Sequence, residues 1–239
     1  MRQDNTTLLF GKGHLGGFIL KKNPEISWTQ RKDSQGKLFF ELENYENFSL
    51  PTQIKTIIWT IPPHTMTVPF LTKLPRNIQI IFISSTSVFS KGLIKNDTVL
   101  DPRTSNGKLL EAAETHIKKH FKKYVIIRPG GLVDQTRHPK NFFNNASKMN
   151  NANHHPNLIH TEDVARFVIL LFKSDSIWNH CYNLVATINL NKKEFYGKYI
   201  SNKKFKFIES HSEEKFFEMN WKKEIGFTLK YPDLDEYFK

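Results

Sequence analysis

Thr6-Thr7-Leu8-Leu9-Phe10-Gly11-Lys12-Gly13-His14-Leu15-Gly16-Gly17 is the stretch that decides the fold. A short apolar strand runs directly into G-x-G-x-x-G and then into a helical pattern carrying Leu15, Phe18 and Ile19. Each glycine has its own use in that spacing. Gly11 permits the tight strand-to-helix turn, Gly13 leaves room for a diphosphate to approach the main chain, and Gly16 lets the helix pack closely on the strand. The helix opening at His14 and Leu15 then aims its first N–H groups and the positive end of its dipole at that diphosphate. Glycine-rich turns are common, so the motif counts only in context. Here a strand precedes it and a helix follows, which is the context that dinucleotide binding requires.

Outward from that turn, apolar runs alternate with helical patterns, which predicts α/β architecture with a mainly parallel sheet. Strands are expected at 26–30, 37–42, 56–61, 79–83 and 124–127. Between the last two, a helix over 106–121 sets Leu109, Leu110, Ala113 and Ile117 on one face. Residues 134–157 are rich in Asn, Lys, His and Pro and show little periodicity, so an irregular and functional or mobile segment is expected. Order resumes at Leu158-Ile159-His160, with Thr161 as N-cap of a helix through Leu171. A strand at 181–185, a helix at 192–201, a strand at 204–208 and a helix at 213–225 complete the chain. The fold class is therefore a Rossmann-type doubly wound parallel sheet with a small C-terminal α+β lobe. Its parts are a nucleotide-binding domain over 1–157 and a substrate-lobe segment over 158–239, partly packed into the first.

Composition narrows the function classes. The 239 residues are 38% hydrophobic and 13% aromatic, a globular balance with enough chain for one sizeable core. The single cysteine, Cys181, rules out an internal disulfide and a cysteine-built metal site. No apolar run is long enough to span a bilayer and no apolar leader follows Met1, so a cytoplasmic protein is expected. His154-His155 with His160 do not have the spacing of a metal site, and none is expected. The net charge of +12 suits phosphorylated ligands or nucleic acid. The lysine pairs are scattered, however, and no nucleic-acid motif accompanies them, so an evenly basic surface is the preferred reading.

The end of the second strand bears on which dinucleotide is held. A carboxylate there binds the free ribose 2′-hydroxyl, whereas a basic residue accommodates a 2′-phosphate. The position reads Gln30-Arg31-Lys32, which favours NADP over NAD and makes Arg31 and Lys32 candidate contacts.

Four landmarks occur in order: Gly11-Lys12-Gly13-His14-Leu15-Gly16, Ile83-Ser84-Ser85-Thr86-Ser87-Val88-Phe89, Arg128-Pro129-Gly130-Gly131-Leu132 and His160-Thr161-Glu162-Asp163-Val164-Ala165. In these the chain resembles compact, atypical members of the NAD(P)-dependent epimerase/dehydratase-like branch of the short-chain dehydrogenase/reductase superfamily. The resemblance implies further cofactor contacts at Thr60, Ile61, Ser84, Arg128, Pro129 and Gly130. It also implies pairing into a homodimer through helices, and a carbonyl or sugar-nucleotide-type substrate. The superfamily's chemistry uses a Ser or Thr after the fifth strand and a Tyr-x-x-x-Lys on the next helix. The tyrosine moves a proton, while the lysine lowers its pKa and holds the nicotinamide ribose. Ser85 stands at the Ser/Thr position and is the catalytic candidate. Aligned on Glu114, the tyrosine position is Asn106 and the lysine position Leu110. An amide has no useful proton-transfer pKa near neutrality, and leucine cannot hold ribose hydroxyls. Oxidoreductase and non-catalytic dinucleotide sensor or scaffold therefore both stand as expectations.

Overall fold

The computed structural model describes residues 6–31, 38–174, 177–202, 204–219 and 221–238. Its first strand, β1 (Thr7–Phe10), is buried at all four positions, with Leu9 facing one side and Leu8 and Phe10 the other. That two-sided burial explains why β1 is continuously apolar rather than alternating. The chain then forms α1 (His14–Lys22), β2 (Ser27–Gln30), β3 (Leu38–Phe39), β4 (Thr56–Trp59), α2 (Thr67–Lys73), β5 (Gln79–Ile83) and β6 (Gly92–Ile94). It continues through α3 (Ser105–His120), β7 (Lys123–Pro129), β8 (Gly131–Val133), β9 (Lys148–Asn150), β10 (Leu158–His160) and α4 (Thr161–Phe172). The last elements are β11 (His180–Leu184), α5 (Lys192–Gly197), β12 (Lys206–Ile208), β13 (Lys215–Phe217), α6 (Trp221–Ile225) and α7 (Leu234–Tyr237).

Seven strands form one parallel sheet in the order β11-β7-β5-β4-β1-β2-β3. Order reverses between β1 and β4, which is where an open α/β sheet places its ligand crevice. Helices α1 and α4 pack together, as do α2 and α3. One core joins Leu9, Ile58 and Ile81 to Ile19, Val168, Trp221 and Phe238. The other joins Leu8, Phe10, Trp59 and Phe82 to Phe70, Leu110 and Ile117. Each large apolar side chain fully withdrawn here contributes about 1.5–3 kcal/mol. The fold is thus the α/β Rossmann type.

Sheet and core both cross residue 157. Strand β11, beyond it, pairs with β7 over five residues, and Phe195, Trp221 and Leu234 lie in the same cluster as Leu9. The tail also reaches back through two-stranded parallel ribbons, β12 on β9 and β13 on β6.

Several local expectations change. The third strand ends early, at Phe39, and Leu42 opens a 3-10 turn (Leu42–Asn47); Lys37 lies outside the described residues. The irregular 134–157 segment contains β9, whose hydrogen-bonding partner lies far along the chain. Residues 213–225 are not one helix: Lys215–Phe217 is strand and only Trp221–Ile225 is helical. Helix α4 is capped by His160, whose Nδ1 accepts from the Glu162 N–H at 3.1 Å, so Thr161 is its first residue and not its cap. Ala113 and Ile117 of α3 are spent on the core.

Candidate functional site

A crevice of about 730 Å³ opens at the carboxyl ends of β1, β2, β4 and β5. Its floor is the glycine turn. Gly11 has φ +96°, a left-handed value that a side chain would strain. A Cβ on Gly16 would sit 2.2 Å from the Gly11 carbonyl oxygen, so helix and strand meet there at main-chain distance. A Cβ on Gly13 would meet nothing within 4 Å, so this position opens into space. Helix α1 has no side-chain cap and no acidic residue in its first turn. Its first N–H groups lack intrahelical acceptors, as in any α-helix, and are presented at the crevice.

Of the candidate site residues, Gly11, Gly13, His14, Leu15, Arg31, Thr60, Ile61, Ser84 and Ser85 line the crevice. Gly16 serves from behind, through packing. Lys32 lies outside the described residues. Arg128, Pro129 and Gly130 do not line it. Arg128 is fully buried and gripped by Glu114, with Nη2 to Oε2 at 2.7 Å, and its guanidinium stacks over Phe89. Gly130 packs where a Cβ would collide with the Asn157 carbonyl oxygen at 2.7 Å. Two lining hydroxyls are already committed. Ser84 donates to Glu114 Oε1 at 2.6 Å, and Thr60 donates to the Gly11 carbonyl at 2.6 Å.

Lys12 and Arg137 also line the crevice. Lys12 lies over the Trp28 ring at 4.6 Å. With Arg31, they give the crevice three fixed cations, and among the described residues no carboxylate lines it. Asp134 sits behind His14. Its burial alone would raise its pKa. Hydrogen bonds from Thr161, Thr136, His14 and the Arg137 N–H outweigh that and hold it well below the usual range. Asp134 is therefore ionised and accepts from His14 Nε2 at 2.6 Å, which fixes the imidazole at the head of α1. The sequence sign of this contact was an aspartate closing Leu132-Val133, two residues before a threonine that completes its turn.

No family model matches the chain, and no curated protein matches it. Solved structures do. A functionally unknown conserved protein from Silicibacter pomeroyi is 16% identical with TM-score 0.74, covering 95% of each chain. MoeE5, solved with UDP-glucose and NAD, is 13% identical with TM-score 0.73, covering 97% of this chain and 95% of that one. A short-chain dehydrogenase/reductase superfamily protein from Agrobacterium tumefaciens, solved with NAD, is 13% identical with TM-score 0.69, covering 94% and 92%. This chain shares the α/β Rossmann-type fold of these structures.

Another part of the crevice lies where β5 ends and α3 begins. Ser85, Ser87, Asn106 and Leu110 line the crevice together. Ser85 Oγ accepts from the Ser87 N–H at 3.1 Å, which leaves its own hydrogen free to donate. Helix α3 contains no tyrosine, and among the described residues none lines the crevice. His155 pairs with Glu214 and His160 stacks on Tyr231 at 3.8 Å, and neither lines the crevice.

Proposed function

We propose that this chain binds a nicotinamide dinucleotide in the β1/β4 crevice, as a protein of the epimerase/dehydratase type, and prefers NADP to NAD. The observation that carries the reading is the uncapped head of α1, set at a positive-φ glycine turn in a crevice lined by cations and no described carboxylate. The residues present fit the group. The α1 N–H groups and Gly13 receive the diphosphate, Arg31 meets a 2′-phosphate, and Thr60 and Ile61 flank the adenosine-to-ribose path. A nicotinamide held there would supply hydride exchange with a carbonyl or hydroxyl carbon. Ser85 donates a hydrogen bond to that oxygen. The UDP-glucose of MoeE5 supports a sugar-nucleotide-type substrate. The lone Cys181 suits a reducing cytoplasm.

Asn106 and Leu110 favour a second reading, a sensor or scaffold that holds the dinucleotide without turning over. Calorimetry with NADP, NADPH, NAD and NADH separates the readings from failure of both. At one hundred times Kd, ligand binding stabilises the chain by about 2.7 kcal/mol. NADPH oxidation against carbonyl compounds and sugar nucleotides, abolished by Ser85→Ala, establishes the enzyme. Tight binding with no turnover establishes the sensor. No binding of any of the four overturns the proposal.

A further inference from the structure

His14 is tied from behind and open in front. Its Nε2 donates to Asp134 Oδ2 at 2.6 Å, and the Thr161 hydroxyl donates to the same oxygen at 2.5 Å. The two nitrogens of an imidazole point in nearly opposite directions, so a ring tied to Asp134 through Nε2 turns Nδ1 away from it. Among the described residues Nδ1 has no hydrogen-bond partner, and 27% of the side chain stays exposed where His14 lines the crevice. Phe18, one turn along α1, packs edge-on against the ring at 5.4 Å. The turn after β8, the start of α4 and α1 itself thus hold the ring beside the first N–H groups of α1.

Asp134 also decides which protons the ring carries. An ionised carboxylate only accepts, so Nε2 bears its hydrogen in either charge state of the ring. Nδ1 is then the one position that changes. In the neutral ring it is a lone pair, which repels a phosphate oxygen. In the imidazolium it is an N–H, which donates to one. The other charged groups nearby are named readily. Lys12 and Arg137 are cations on the same crevice. Glu162 is bonded to Lys22, Lys230 and Tyr231, and Asp163 to Arg166 and the N–H groups of Lys230 and Tyr231. His160 is pushed below the ordinary imidazole range by burial, and it stacks on Tyr231 away from the crevice lining.

We infer that the His14 side chain is a proton-controlled ligand of the dinucleotide diphosphate, donating from Nδ1 when charged and turning the same oxygen away when neutral. Asp134 and Thr161 are positioning residues that aim the ring. Imidazoles exchange this proton between about pH 5 and 8, so dinucleotide affinity falls as pH rises through neutrality. The role adds a side chain to the main-chain N–H groups of α1, and it rests on the crevice being the dinucleotide site.

NADP and NAD are titrated by calorimetry into wild type and His14→Gln, full chain, from about pH 6 to pH 8.5. The 2′-phosphate of NADP titrates in the same range. Comparing the two proteins at each pH cancels that contribution. Wild type should bind about tenfold tighter than His14→Gln at the acid end, the ratio that one charge-assisted hydrogen bond supplies, with the advantage gone at the alkaline end. With NAD, whose diphosphate does not titrate there, wild type should take up part of a proton on binding, read from buffers of different ionisation enthalpy. Asp134→Asn should move the fall in affinity to lower pH, because the imidazolium loses its counter-charge. Nitrogen-15 spectra of the ligand-free wild type should place the neutral-ring proton of His14 on Nε2. A proton on Nδ1 overturns the inference without any variant. A wild-type to His14→Gln ratio that is constant across pH, or binding of NAD without proton uptake, also overturns it. Failure of both dinucleotides to bind at any pH removes the crevice reading itself, a result distinct from binding without pH dependence.

Discussion

Glu114 on α3 and Arg128 on β7 form an ion pair with no solvent exposure on either side chain. Arg128 Nε lies 3.1 Å from both carboxylate oxygens, Nη2 lies 2.7 Å from one, and Nη1 donates to the Asn96 carbonyl at 3.2 Å. Ser84 adds its hydroxyl to the same carboxylate, so the pair fastens the end of β5 to α3. Removing one partner strands the other charge in the interior. Arg128→Met or Glu114→Leu alone should cost about 3–5 kcal/mol, and the double replacement much less than the sum. Guanidinium unfolding of the three variants checks this. Additive losses would show that the pair is not coupled.

That pair also shows where sequence reading stops. Arg128 stands in a segment resembling a cofactor-contacting stretch, and nothing local announces that a glutamate on the preceding helix will bury it. The glycine turn was legible because Gly11, Gly13 and Gly16 have few other physical uses after a strand and before a helix. The Lys215–Phe217 strand was not. Its pairing partner, Gly92–Ile94, lies more than a hundred residues away, and Glu213 to Ile225 alone has an adequate helical pattern. Asn106 and Leu110 were placed from sequence by their spacing to Glu114, and the fold brings both to the crevice beside Ser85.

Two neighbouring glycines of α1 should respond with opposite signs. A methyl at Gly16 meets the Gly11 carbonyl oxygen at 2.2 Å, main chain that cannot swing aside. Gly16→Ala should destabilise by about 1–3 kcal/mol and weaken dinucleotide binding with it. A methyl at Gly17 meets nothing within 4 Å. Gly17→Ala should stabilise by about 0.5–1 kcal/mol, because alanine loses less backbone freedom in a helix. Thermal melts of the two variants decide it; shifts of the same sign would mean that α1 does not press on β1.

Acid should weaken the contact between α1 and the tail. Burial tends to raise the pKa of Glu162, but hydrogen bonds from Lys22, Tyr231 and Lys230 bring it down to about 2. Asp134 is depressed in the same direction by its four donors. A carboxylate with a depressed folded pKa stabilises above its unfolded pKa, and that stability is lost as pH falls through the folded value. Stability should therefore hold at pH 6 and decline from about pH 4.5 towards pH 2. Glu162→Gln and Asp134→Asn should each flatten that decline in denaturant midpoints measured across the range. Variant and wild-type curves that stay parallel would assign the acid sensitivity to other groups.

Arg31 should set the preference between the two dinucleotides. It follows β2 at the crevice wall beside Thr29 and Gln30, and no described carboxylate lies there to hold a free 2′-hydroxyl. A guanidinium bonded to a phosphate contributes about 1.5–3 kcal/mol, which corresponds to roughly ten- to hundredfold in affinity. Arg31→Gln should thus weaken NADPH about tenfold or more and leave NADH within about twofold. The contrast between the two ligands matters more than either value, because a general loss of fold or of crevice charge would weaken both. Lys32 adjoins Arg31 in sequence, so Lys32→Gln alone and the double variant show whether the preference belongs to one cation or to the pair. Equal losses for NADPH and NADH in all three variants would remove Arg31 from the 2′-phosphate and leave it as part of the general positive field at the crevice.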